Sequence, residues 1–260
     1  MRKAAQKAAR NLRRDFAEVE KLAITEKGPA DFVSAADRRS EEIIRDELAY
    51  GRPDFQFLGE ESAQLVGIDG ELKGDWWVVD PLDGTTNFLH RMPQFAISIA
   101  HVRDGKTVAA LIYEPISDTE YCAAFRYGAW RNEFERLRVS GRTKLSSCLF
   151  ATGIPFKGTL TPELHAQFLR ELQRFMEETA GVRRVGAAAL DMAGVASGSY
   201  EGYWERGISI WDIAAGVLLV EEAGGMVMKL DGREHGLFDR AILACAANIA
   251  PEMQRLLEGH

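Results

Sequence analysis

Trp76-Trp77-Val78-Val79-Asp80-Pro81-Leu82-Asp83-Gly84-Thr85-Thr86-Asn87-Phe88 is the most informative stretch of the 260-residue chain. Its first four residues are bulky and apolar, the mark of a short buried strand. Proline has no N–H to give to a sheet, so Pro81 is expected to end the ladder. Gly84 permits a sharp turn. Asp80 and Asp83 can then converge at the strand's carboxyl end, with the Leu82 carbonyl exposed between them. Beyond the turn, the amides of Gly84, Thr85 and Thr86 can face a phosphate if they open a helix. A plain Asp-Gly turn with capping carboxylates is the alternative. Two acids, a proline break, a glycine and small polar side chains packed this closely exceed what a turn needs.

Other acids are placed to join this pair. Gly59-Glu60-Glu61-Ser62 follows the apolar run Phe55 to Leu58, so a glutamate pair also sits at an expected strand end. Trp211-Asp212 and Ser34-Ala35-Ala36-Asp37 each open an expected helix. Taken singly these have structural readings: Ser34 and Asp37 have capping-box spacing, and Asp212 in a first turn complements the helix dipole. Together they pose an electrostatic problem. Two carboxylates about 4 Å apart repel by ~4 kcal/mol at an effective dielectric near 20, so a cluster needs cations, or acids kept neutral. Oxygen-only ligands select hard cations, chiefly Mg²⁺, which joins a few carboxylates to a substrate phosphate. The histidines at 90, 101, 165, 235 and 260 show no H-E-x-x-H spacing, which argues against zinc. Metal-assisted phosphoryl hydrolysis fits these residues best.

The rest of the chain sets the frame. Its composition, 46% hydrophobic and 27% charged, is that of a soluble globular protein able to bury a full core. A net charge of −7 argues against general nucleic-acid binding and requires something to reverse the field around a phosphate. Cys122, Cys148 and Cys245 form neither a disulfide framework nor a C-x-x-C site, which points to a reducing cytoplasm. No apolar run is long enough to span a bilayer. The basic start lacks a signal-peptide core, and Ala5, Ala8, Leu12, Phe16 and Val19 read as the stripe of a first helix. Further helices are expected over Ala35 to Ala49, from Thr161-Pro162-Glu163 onward, over Ala187 to Gly198, and from Trp211 to Ala223 with a stop at Gly224-Gly225. Strands are expected at Phe95 to Val102 and Thr107 to Tyr113 around an Asp104-Gly105 hairpin turn, then at Thr119 to Phe125, Arg136 to Val139, Cys148 to Thr152, Met226 to Leu230 and Ile242 to Ala246. Hairpins mixed with helices indicate a layered α+β architecture.

Two segments carry a family resemblance. W-V-V-D-P-L-D-G-T-T-N-F at 77–88 and W-D-I-A-A-G-V-L-L-V-E-E-A-G-G at 211–225 resemble the two signatures of inositol monophosphatases. F-V-S-A-A-D at 32–37, G-E-E-S at 59–62 and V-G-A-A-A-L at 185–190 fall in the family's order, and the chain is also similar to bacterial members described as extragenic suppressor proteins. The resemblance implies an αβαβα sandwich shared with sugar bisphosphatases. It implies one domain over 1–260, made of two packed lobes dividing near 145–155, usually assembled as a homodimer. Glu60, Asp80, Asp83, Asp212 and the Leu82 carbonyl would hold two or three Mg²⁺ ions. Thr85, with Glu60 or Asp37, would orient the attacking water and take its proton. Gly84 and Thr85 amides would hold the phosphate. Gly186, Ala187 and Ala188, with Asp83, Glu205 and Asp212, would line the polyol, and Lys27 would lie near the metal waters. Ala187 stands where better-known animal members carry threonine. Lithium inhibition is implied as well.

The expected reaction is therefore Mg²⁺-dependent hydrolysis of myo-inositol 1-phosphate or a similar polyol or sugar monophosphate. Histidinol phosphate, fructose 1,6-bisphosphate and 3′-phosphoadenosine 5′-phosphate are alternatives on the same site, and Glu205 favours a hydroxylated ring over a nucleotide. A different role, contact with RNA or the transcription machinery, has one feature to weigh. Arg126, Arg131, Arg136, Arg138, Arg142 and Lys144 are interleaved with Tyr127, Trp130 and Phe134. A solvated β-hairpin shows the same alternation and is the favoured reading.

Overall fold

The structure, a computed structural model, describes residues 1–21, 24–28, 31–63, 71–155 and 160–259, with the side chains of 21–34 outside the description. In chain order the first elements are α1 (Arg2–Ala17), β1 (Ile24–Gly28), β2 (Asp31–Ser34), α2 (Ala35–Gly51), β3 (Gln56–Gly59), β4 (Asp75–Asp83) and α3 (Thr85–Leu89). They are followed by β5 (Ala96–Arg103), β6 (Lys106–Glu114), β7 (Thr119–Ala124), β8 (Gly128–Arg131), β9 (Glu135–Arg136) and β10 (Leu149–Thr152). The remainder is α4 (Pro162–Glu178), β11 (Gly181–Arg183), α5 (Ala188–Ala196), β12 (Gly202–Arg206), α6 (Ile210–Glu222), β13 (Gly225–Met228), β14 (Ala241–Ala246) and α7 (Ala250–Glu258).

Seven strands form one sheet in the order β3-β4-β5-β6-β7-β8-β9, and five form another in the order β11-β10-β12-β14-β13. Each is covered on both faces, so its strands read as nearly continuous apolar runs. Strand alternation then sends neighbouring residues into different cores. Trp77 and Val79 pack with Ala5, Ala8, Leu12, Ile44 and Leu48 of α1 and α2. Val78 packs instead with Met192 of α5, Ile213 and Leu218 of α6, and Tyr203 of the second sheet. Beyond that sheet Phe150, Trp204 and Leu243 meet Phe175 of α4 and Met253 and Leu256 of α7. The layers are thus α1/α2, first sheet, α5/α6, second sheet and α4/α7: an α+β sandwich of αβαβα type.

Local chemistry accounts for the elements read from sequence. Thr161 caps α4 by accepting the Leu164 N–H, with Pro162 in the first turn. Asp104 and Gly105 both take positive φ at the β5–β6 turn, as a two-residue hairpin of this type requires. Three expectations are corrected. The strand beginning at Trp76 does not stop at Pro81 but runs to Asp83. The strand expected over Arg136 to Val139 is reduced to Glu135–Arg136, because Val139 turns away to donate to the Ala223 carbonyl at the end of α6. The expected helix at Ala187 starts one residue later, with Ala187 as its extended N-cap.

Candidate active site

Asp80 and Asp83 are three residues apart, and in a regular strand they would face opposite sides of the sheet. They do not, because β4 carries a bulge. Asp80 pairs with Ser98 and Asp83 with Ala96, so three steps on β4 match two on β5. One extra residue restores the phase and turns both carboxylates to the same face. Pro81 lies inside this bulge, where its missing N–H costs no ladder bond. Asp80 Oδ1 accepts the Leu82 N–H at 2.9 Å, and the Ser40 hydroxyl of α2 donates to the Pro81 carbonyl at 2.8 Å.

The turn that follows has room only for glycine. Gly84 has φ +93°, and a Cβ there would stand 3.1 Å from the Gln94 carbonyl oxygen and 3.2 Å from that of Gly186. Gly84 is the N-cap of α3, which opens at Thr85 as the sequence suggested. The Thr85 hydroxyl lies 2.9 Å from Asp37 Oδ1 and 3.1 Å from the Leu82 carbonyl oxygen. Asp37 is buried near the start of α2, so its described bond is a tertiary one spanning 48 residues. Asn87 of α3 donates to the carbonyls of Gln94 and Val185 at 2.7 and 2.8 Å, which ties α3 to the Gly186–Ala188 turn.

The second sheet and the middle helix layer supply the remaining walls. Asp83 Oδ2 accepts the Ala189 N–H at the start of α5, at 2.6 Å. Asp212 occupies the third position of α6, where Oδ2 accepts the Ser209 N–H at 2.8 Å in a capping box. Capping and a place among the other acids are therefore both true of Asp212. Glu205 lies on β12, half-buried, accepting the Tyr203 hydroxyl. Glu60 follows β3, its N–H bonded to the Val79 carbonyl at 3.1 Å.

Electrostatics show that these acids share one space. Burial pushes Asp80 well above the usual carboxylate range, and Glu60, Asp83 and Asp212 push it further. Asp212 is raised by burial and then by Asp83 and Glu60. Burial raises Asp83 to about 7 against the opposing Ala189 amide, with Glu205 and Glu60 adding to the rise. Glu205 is raised by burial, with Tyr203 and Arg184 opposing. A region this unfavourable to negative charge fits positive ions. Among the described residues no group of three or more His, Cys, Asp or Glu side chains makes a set that could hold a metal ion. Mg²⁺ does not need one, since it binds through one or two carboxylates, waters and substrate phosphate. Asp80, Asp83 and Asp212 each anchor one oxygen on a backbone N–H, and a carboxylate has two.

The site residues read from the sequence are linked to one another here by hydrogen bonds, close approach or mutual repulsion, and the side chain of Lys27 lies outside the described residues. Sequence reasoning missed three neighbours. Asp191 of α5 is buried with its Oδ1 unpartnered, raised by burial and by Glu205 and Asp83. A single acid in the small-residue run 187–198 was the signal for it. Tyr203 and Gly153 had none. A Cβ at Gly153 would stand 2.0 Å from the Glu205 carboxyl carbon, so residue 153 sets the room that Glu205 occupies.

Comparison with known proteins agrees with this geometry. The pattern described as "Inositol monophosphatase family" matches residues 1–259. The chain is 45% identical to the inositol-1-monophosphatase of Rhizobium meliloti, over 97% of this chain and 92% of that protein. It is 40% identical to the Nus factor SuhB of Pseudomonas aeruginosa, over 93% of this chain and 88% of that protein. The crystal structure of extragenic suppressor protein suhB from Bartonella henselae superposes with a TM-score of 0.91 at 46% identity, covering 99% of this chain and 96% of that one. With the bulged Asp80–Asp83 segment, the Gly84 turn and the Asp212 helix start all in place, the chain belongs to the inositol monophosphatase family.

Proposed function

We propose that the protein is a Mg²⁺-dependent phosphatase of myo-inositol 1-phosphate or a closely similar polyol monophosphate. The observation that carries this reading is the set of mutually repelling acids, Glu60, Asp80, Asp83 and Asp212, at the mouth of the Gly84 turn. Those residues and the Leu82 carbonyl would hold the metal, which when bound supplies Lewis acidity to the phosphate and to water. The chain's own groups do the rest. Thr85 donates its hydroxyl hydrogen toward Asp37 or the Leu82 carbonyl, which leaves its oxygen lone pairs to accept from a water. Asp37, with Glu60 beside the cluster, takes up the proton passed on. The amides of Gly84 and Thr85 at the start of α3 hold phosphate oxygens.

Substrate choice falls to the wall built from the second sheet. Glu205 and Asp83 present carboxylate oxygens to ring hydroxyls, and Gly186, Ala187 and Ala188 let the backbone come close. This favours a hydroxylated ring over histidinol phosphate or a nucleotide. The name of the R. meliloti relative supports the same choice. A panel of these substrates, read by phosphate release with and without Mg²⁺, tests it; preference for a substrate without ring hydroxyls would overturn it. Lithium inhibition, a homodimer and a cytoplasmic location belong to the same reading. The last is supported by three free cysteines.

A second role, contact with RNA or the transcription machinery, has behind it the "Nus factor" name of the P. aeruginosa relative and the exposure of Phe125, Tyr127 and Phe134. Against it, Arg131 pairs with Glu135, Arg142 pairs with Glu201, and Arg136 lies over the Trp130 ring. Salt-dependent RNA binding lost on neutralising Arg126 and Arg138 would favour the second role. It does not exclude catalysis.

A further inference from the structure

Helix α2 serves three separate pieces of the site from one stripe. Asp37, Ser40 and Glu41 are spaced i, i+3 and i+4 and are therefore neighbours on one helical face. Asp37 meets the Thr85 hydroxyl, and Ser40 donates to the Pro81 carbonyl inside the β4 bulge. Glu41 reaches the third piece, the turn that carries Glu60. Its Oε2 accepts the Glu61 N–H at 2.8 Å, and its Oε1 accepts Arg45 Nη2 at 2.6 Å.

Two observations show that this contact is built in. Glu41 is only 3% exposed, although an acid one helical turn from an arginine has an easy route to solvent. The turn also makes room for it: a Cβ at Gly59 would stand 2.3 Å from Glu41 Oε2. The backbone around Glu60 is thereby held from two sides. Its own N–H is fixed on the Val79 carbonyl of β4, and the next N–H is fixed on Glu41. A charged acceptor on an amide is among the stronger restraints available to a turn.

We infer that Glu41 is a positioning residue for divalent-cation binding, setting the direction in which the Glu60 carboxylate leaves its turn. This rests on the reading of Glu60 as a metal ligand. Glu41 touches neither the phosphate-binding amides nor the Glu205 wall in any described contact, so its loss should weaken cation binding and leave substrate contacts alone. Groups that orient metal ligands typically contribute about 10- to 100-fold to metal affinity.

The test is calorimetric titration of Mg²⁺ into metal-free protein, with turnover measured against Mg²⁺ concentration. Glu41→Ala should raise both the Mg²⁺ Kd and the Mg²⁺ concentration for half-maximal rate by about tenfold or more. The substrate KM at saturating Mg²⁺ should be unchanged. Glu41→Gln keeps an oxygen for the Glu61 N–H and should recover most of the loss. Exchange of the Glu61 amide hydrogen should quicken in the alanine variant and not in the glutamine one. Should Glu41→Ala fail to fold, Gly59→Ala takes its place, since it displaces the carboxylate while leaving Glu41 in the chain. Wild-type Mg²⁺ affinity in folded Glu41→Ala, or in Gly59→Ala where Glu41→Ala does not fold, overturns the inference. A wild-type protein that binds no Mg²⁺ sinks the phosphatase reading itself, and the inference with it.

Discussion

Asp83→Asn should stabilise the metal-free protein while abolishing its Mg²⁺-dependent turnover. The Asp83 carboxyl is raised from about 3.8 to about 7. Between those values the folded chain holds a proton that the unfolded chain has released. Stability therefore falls as pH rises through that window, and the whole cost is present above pH 7. Taken alone, a difference of about three pH units corresponds to ~4 kcal/mol. Asp80 and Asp212 redistribute protons when Asp83 is removed, so about half of this, ~2 kcal/mol, is the expected gain. Asparagine keeps an oxygen to accept the Ala189 N–H that Asp83 now accepts, so little is lost in exchange. For a chain of this size that gain is a rise in Tm of about 5 °C at pH 8 without metal, shrinking to nothing near pH 4. Mg²⁺ should raise the Tm of wild type and leave the variant nearly unmoved, and phosphate release should drop by at least ~100-fold. Differential scanning fluorimetry at several pH values, with and without Mg²⁺, and a phosphate-release assay measure both effects. A metal-free variant less stable than wild type at pH 8, or one with full turnover, would refute the reasoning.

Other consequences concern the proton path and the substrate wall. Thr85→Ala removes the hydroxyl between water and Asp37 and should lower kcat by about 100-fold with little change in KM, read by steady-state kinetics. Glu205→Gln should raise KM for inositol 1-phosphate several-fold while leaving hydrolysis of an aryl phosphate, which has no ring hydroxyls, unchanged; equal losses on both substrates would place Glu205 in the chemistry. Gly153→Ala puts a Cβ 2.0 Å from the Glu205 carboxyl carbon. Its expected result is the same substrate-selective KM increase.

Much of the site was legible because its chemistry is compressed into short segments. The Asp80–Phe88 run displays two acids, a turn and a helix start in order, and Trp211-Asp212 announces its helix. What sequence could not give is the way distant pieces complete one another. The apolar-run reading ended the strand at Pro81, but a bulge lets the ladder resume at Asp83 opposite Ala96. That pairing is set by β5, not by the local sequence. Glu205 was legible only through the family resemblance, because the Gly202–Arg206 strand that carries it is short and its partners are β10 and β14. Glu41 carries no signal of its own in the sequence, and only its Glu61 partner, 20 residues on, reveals the role. Tertiary pairing at these positions overrides the pattern that periodicity detects.

The central claim is that acids from β4, the β3 turn and α6 meet around divalent ions next to a phosphate seated on the Gly84 turn. Crystals grown with Mn²⁺ and inorganic phosphate test it most directly, because Mn²⁺ can be located by its anomalous scattering. The account predicts manganese peaks bounded by Glu60, Asp80, Asp83 and Asp212, with phosphate oxygens on the amides of Gly84 and Thr85. Manganese bound elsewhere, or phosphate lying away from the start of α3, would contradict it.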